Sequence, residues 1–136
     1  PMMARMDLVV EVPPVTAADL ALPAPAEGTV QAAARVARAR QIQLERAAED
    51  GESAAPLNAQ ASGARLEAIA ALDAPARALL SRAAEAAGLT ARGWTRTLRL
   101  ARTIADLDGA PQVRRTHLAE ALIYRRVSSA PGVLAG

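Results

Sequence analysis

The sequence predicts an all-α fold, a small helical bundle, and three observations carry that prediction. Alanine and arginine, both strong helix formers, recur along the chain, and alanine supplies much of the 51% apolar content. Phe is absent, and one Trp and one Tyr are the only aromatics, so a core must be built from Leu, Val, Ile and Ala packed between helices. Capping residues recur at regular stations: Thr29, Asp73 and Thr90 ahead of helical segments, and Asp50-Gly51, Gly88 and Asp108-Gly109 behind them.

The first element is the exception to the helical pattern. Residues 6–12, MDLVVEV, read as a short β-strand, because Val9, Val10 and Val12 are β-branched and Pro13-Pro14 ends the run. A lone strand leaves its own backbone groups without partners, so this strand is expected either to pair with something outside the chain or to be loosely ordered. A strand met so soon after Pro1 fits a piece of a longer protein. Residues 13–28 hold four of the nine prolines and read as a linker with one helical turn near Thr16–Leu20.

Thr29 is the expected N-cap of a long helix, about Val30 to Glu49. Its apolar positions are Val30, Ala33, Ala34, Ala37, Ile42 and Leu44, with Arg35, Arg38, Arg40, Glu45, Arg46 and Glu49 mostly in solvent. Residues 51–63 read as a flexible loop. A short helix over about Ala64–Ala70 follows. Asp73 then caps a helix over Ala74–Ala87, with Pro75 in its first turn and Leu79, Leu80 and Ala83 facing inward. Thr90 opens the next helix, which closes at Asp108-Gly109. Val113 packs ahead of a last helix, about Arg115 to Arg126, with Leu118, Ala121, Leu122 and Tyr124 inward. Residues 128–136 are expected to be a disordered tail.

Composition excludes several functions. With no cysteine and one histidine, His117, there is neither a disulfide nor a cysteine-ligated or histidine-cluster metal site. No run of apolar residues approaches the ~18 of a membrane span, and no signal peptide is present, so no membrane partner is expected. All basic side chains are arginine, yet the net charge is only +2, so charge alone does not point to nucleic acid.

The chemistry to weigh lies in residues 90–109, TARGWTRTLRLARTIADLDG. At 100° per residue, Trp94, Leu98, Ala101 and Ala105 share one side, while Arg92, Arg96 and Arg99 share the other and Arg102 lies at the border. Most such rows are simply a solvated face, paired with acids such as Asp106, Asp73 or Glu85. Arg92 differs, because it lies in the first helical turn. A cation there opposes the helix dipole, and an anion bound at that point would offset the cost. His117, in the first turn of the last helix, reads as a capping or packing residue. Trp94 reads as a core anchor.

These residues carry a family resemblance. Residues 88–126, GLTARGWTRTLRLARTIADLDGAPQVRRTHLAEALIYRR, resemble the C-terminal region of magnesium-chelatase-like AAA+ ATPases of the ComM/YifB type. The family pattern is L-S-A-R-G-Y-x-R-x-L-R-V-A-R-T-I-A-D-L-x-G, then I-R-x-x-H-L-x-E-A-L-x-Y-R. The start, MMARMDLVVEVPPV, is similar to the family's L-L-D-R-I-D-L-x-V-E-V-P, with Ala4 where the family has Asp. The likeness covers nearly the whole chain apart from the tail.

The resemblance implies an architecture and a role. Residues 1–28 would be the end of the AAA+ core, strand 6–12 included, and its linker. Residues 29–127 would be the helical lid beside the ATP site. Arg92 matches the sensor-2 arginine, which reaches the γ-phosphate, and Arg5 matches a possible arginine finger acting on a neighbouring subunit's nucleotide. The full-length parent would be a cytoplasmic, ring-forming ATPase of identical subunits, using ATP and Mg2+ and acting on DNA. The isolated fragment would bind no cofactor tightly and would not hydrolyse ATP, since its phosphate loop and metal-binding acids would lie in the missing N-terminal core. The alternatives are a stand-alone helical DNA-binding module, a subunit of a true magnesium chelatase, and a passive interaction bundle.

Overall fold

The computed structural model describes Met2 and residues 5–129; the tail expected to be disordered lies almost wholly outside them. The described chain is all-helical. The elements are α1 (Ala17–Leu20), α2 (Thr29–Glu49), a 3₁₀ turn (Asn58–Gln60), α3 (Gly63–Ala70), α4 (Ala74–Ala87), α5 (Ala91–Leu107) and α6 (Arg115–Ser129).

Helix α5 is the centre of the bundle. It packs against α2, α3, α6 and the 3₁₀ turn, while α4 packs on α6. Its inner stripe, Leu98, Ala101 and Ala105, is fully buried and meets Leu66 of α3 and Leu118 and Ala121 of α6 in one cluster with Leu80 of α4. Each buried Leu stabilises the fold by about 1.5–3 kcal/mol. The alanines contribute little area; their small size lets helix axes come close, which suits a core without Phe.

The caps follow the sequence closely. Asp73 accepts from the Ala76 N–H at 2.8 Å and Thr90 from the Gly93 N–H at 3.1 Å. Gly88 ends α4 in the left-handed region, at φ 60°. The helical turn near Thr16 is α1, closed by a capping box in which Thr16 and Asp19 bond each other's backbone N–H. The connectors also bind each other: Leu72 and Val113 form a parallel bridge, Asp73 N–H donates to Val113 O, and Val113 N–H to Ala70 O. Val113 is fully buried, so this stitch seals one end of the core.

Four expectations need correcting. No strand forms at residues 6–12; no second strand lies among the described residues to pair with this run, and Met6, Leu8, Val10 and Val12 are exposed. The N-cap of α2 is Gly28, whose N–H donates to the Gln31 side chain at 3.1 Å, so Thr29 already belongs to the helix. The inner face of α2 is Ala39, Gln43 and Ala47, spaced four apart, whereas Val30 and Leu44 are exposed. Alanine on every side of this helix blurs its apolar stripe. Finally, residues 51–63 are not a loose loop throughout: Asn58 is buried, its N–H donating to Gln43 Oε1 and its amide to Asp106 Oδ2.

Candidate functional site

The site begins with the start of α5. Thr90 caps one of the free N–H groups there, and the positive end of the helix dipole remains. Arg92 stands in that first turn, exposed, and makes no hydrogen bond or ion pair among the described residues. Its guanidinium therefore sits where local electrostatics disfavour a cation.

The other arginines of the row are not a wet face. Arg96 is 9% exposed and its Nε donates to Asp7 Oδ1 at 2.6 Å. Arg99 is half-buried and donates from Nε to Ala61 O at 2.9 Å. Arg102 is 1% exposed. Its Nε donates to Asp106 Oδ1, Nη1 to Ile69 O and Pro111 O, and Nη2 to Ala110 O. Arg46 reaches the same carboxylate from α2, so Asp106 joins two helices, and Asn58 completes its acceptor set. Burial holds the Arg102 guanidinium below its usual range; Asp106 opposes that pull and the charge of Arg46 adds to it. Of the acids weighed from sequence, Asp106 is a partner of the row, while Asp73 caps α4. The expectation of solvent-facing arginines fails because a long guanidinium stem crosses the border of a helix face to reach carbonyls and a carboxylate inside.

Arg46, also expected in solvent, is held in this network. Trp94 is half-buried against the core and donates from Nε1 to Glu67 at 3.0 Å. His117 is buried and does cap: its Nδ1 accepts from the Arg114 N–H at 3.0 Å, and its Nε2 lies 2.9 Å from Asp108 Oδ2. Tyr124 is half-buried, its hydroxyl donating to Glu120.

Arg5 is exposed, its backbone N–H donating to Met2 O at 3.0 Å, and no bond joins it to Arg92. Ala4 lies outside the described residues. Among the described residues no group of three acids or histidines could hold a metal, and no helix is long and apolar enough to cross a membrane. Sequence reasoning missed Asp7, Gln43 and Asn58. The signal for Asp7 was present, as a single carboxylate at the head of an apolar run; Gln43 and Asn58 gave none.

The sequence that forms this bundle matches a known domain family. Residues 26–125 match the model of the magnesium chelatase, subunit ChlI C-terminal family, and the chain belongs to that family, within its ComM/YifB-like branch. The relatives are whole proteins. Competence protein ComM of Haemophilus influenzae is 35% identical over 92% of this chain and 23% of its own length. YifB of Escherichia coli is 30% identical over 93% of this chain and 24% of its own, and YifB of Salmonella typhimurium is 52% identical over 29% of this chain and 8% of its own. The chain thus spans about a quarter of the length of the relatives it matches end to end.

Proposed function

We propose that this chain is the nucleotide-sensing lid of a magnesium-chelatase-like AAA+ ATPase, and that Arg92 is the group that reads the nucleotide. One observation carries the reading: of the four arginines on α5, Arg96, Arg99 and Arg102 bond inside the molecule, while Arg92 is left exposed at a helix start without a partner among the described residues. An anion placed there would meet the dipole's positive end and a forked guanidinium together.

That geometry fits one edge of a phosphate and no more. The chain has no Gly-rich loop to cradle phosphates and no acidic cluster for magnesium among its described residues, so a core outside it would hold ATP and Mg2+. Bound ATP would supply a γ-phosphate with negative charge spread over its oxygens. Arg92 would bind that charge, and the rigid bundle behind it would carry the contact to the rest of the lid. Arg5 would act in trans, as an arginine finger on the nucleotide of the neighbouring subunit in a ring. The Haemophilus relative is a competence protein, and we extend this to a cytoplasmic motor acting on DNA. A stand-alone DNA-binding module is the weaker reading, because most of its arginine row is engaged internally.

The test is Arg92→Ala in the full-length protein. ATP turnover is expected to fall roughly 100-fold or more, as when a preorganised charge donor is removed. Turnover at the parent rate would sink the reading.

A further inference from the structure

Among the described residues, one ion pair joins the N-terminal segment to the lid. Residues 5–15 run over the bundle almost wholly exposed, with Val9 alone half-buried. Yet Asp7 meets Arg96, 89 positions later, with Oδ1 and Nε 2.6 Å apart. The pair is asymmetric: the Arg96 side chain is 9% exposed and the Asp7 side chain 68%. The cation is fixed in the bundle, and the acid comes to it from an exposed segment.

A third charge shares the place. Arg125 of α6 feels both partners: burial lowers its guanidinium most, the charge of Arg96 lowers it further, and Asp7 raises it. The Arg125 fork also lies 3.6 Å from the Cβ that Gly93 lacks, so α6 reaches the first turn of α5 here. Two guanidiniums side by side repel, and a carboxylate beside both relieves that repulsion. Arg96 lies one turn beyond Arg92 on the same helix, so the N-terminal segment is tethered one turn from the residue proposed to read the nucleotide.

We propose that Asp7 is a positioning residue: by pairing with Arg96 it clamps the N-terminal segment to α5 and so sets the angle at which Arg92 is presented. This rests on the sensing role proposed for Arg92. The clamp is the one ion pair among the described residues that joins the extended segment to the bundle, and it lies outside the apolar core. Its removal therefore leaves the apolar core in place and alters presentation more than folding.

Two measurements test it. In this chain, backbone order parameters of residues 6–10 should fall below ~0.6 in Asp7→Asn and stay near parent values in Asp7→Glu, with the melting temperature of Asp7→Asn lowered by a few degrees at most. In the full-length protein, Asp7→Asn should lower kcat for ATP roughly tenfold, with KM within about twofold, and Asp7→Glu should restore most of it. Unchanged order parameters in Asp7→Asn overturn the clamp. Parent kcat in Asp7→Asn, beside a crippled Arg92→Ala, overturns the positioning role and leaves the sensing role standing. An active Arg92→Ala overturns both roles, whatever the order parameters show of the tether.

Discussion

Arg102 and Asp106 lie one turn apart on α5, both sealed from solvent, with Nη2 and Oδ1 2.9 Å apart. Isolated, such a pair would gain little, because desolvation offsets the Coulomb term. Here every arm of the Arg102 fork finds an acceptor, including the carbonyls of Ile69, Ala110 and Pro111. The pair thereby ties the end of α3 and the α5–α6 turn to the central helix, and Arg46 and Asn58 bring in α2 and the 3₁₀ turn. It gives a core poor in large apolar side chains a defined geometry.

Asp106→Ala should therefore be among the most damaging single changes. It leaves Arg102 buried without its carboxylate and Arg46 without its ion-pair partner, at a cost of roughly 3–5 kcal/mol. Urea denaturation of the purified chain measures this directly. A midpoint within error of the parent would show that the network contributes nothing net.

Ala71 makes the opposite prediction. It ends α3 at φ 45°, ψ 51°, a left-handed conformation that glycine adopts at Gly88 and alanine adopts with strain. Ala71→Gly removes the Cβ penalty and should stabilise by about 0.5–1 kcal/mol after the entropy lost by a freer unfolded chain. A lower melting temperature would refute that accounting.

The Asp19 carboxyl should titrate below its ordinary 3.8, because the Thr16 hydroxyl and then the Thr16 N–H donate to it at 2.7 and 2.8 Å. A lowered folded pKa stabilises above the unfolded value and loses that contribution as pH falls through the folded one. The α1 turn should thus loosen in acid while the bundle persists. Carboxyl NMR titration checks it: Thr16→Ala should move Asp19 back up part of the way, and an identical curve in the variant would rule out the hydroxyl as the cause.

Much of the fold was legible because it is written in local rules. Asp73, Thr90 and Gly88 announce helix ends through bonds spanning three or four residues, and those ends were found. Arg92 was legible in the same way, as a charge at the wrong end of a dipole. What escaped was long-range. Arg46 and Asp106 are 60 positions apart, and Asp7 and Arg96 are 89 apart. Nothing in local periodicity records that a flexible arginine will turn inward to meet them. The face of α2 escaped for another reason: alanine is indifferent to burial, so Ala39 and Ala47 inside look the same as Ala33 and Ala34 outside. The strand expected at residues 6–12 rested on local preference alone, and no second strand lies among the described residues to pair with it.

Helix α5 touches α2, α3, α6 and the 3₁₀ turn. With so much of the bundle hung on one shaft, few parts can shift alone without dragging the others. A push on the first turn of that shaft is felt at its far end as tilt, not as compression. The domain is built as a lever rather than a spring.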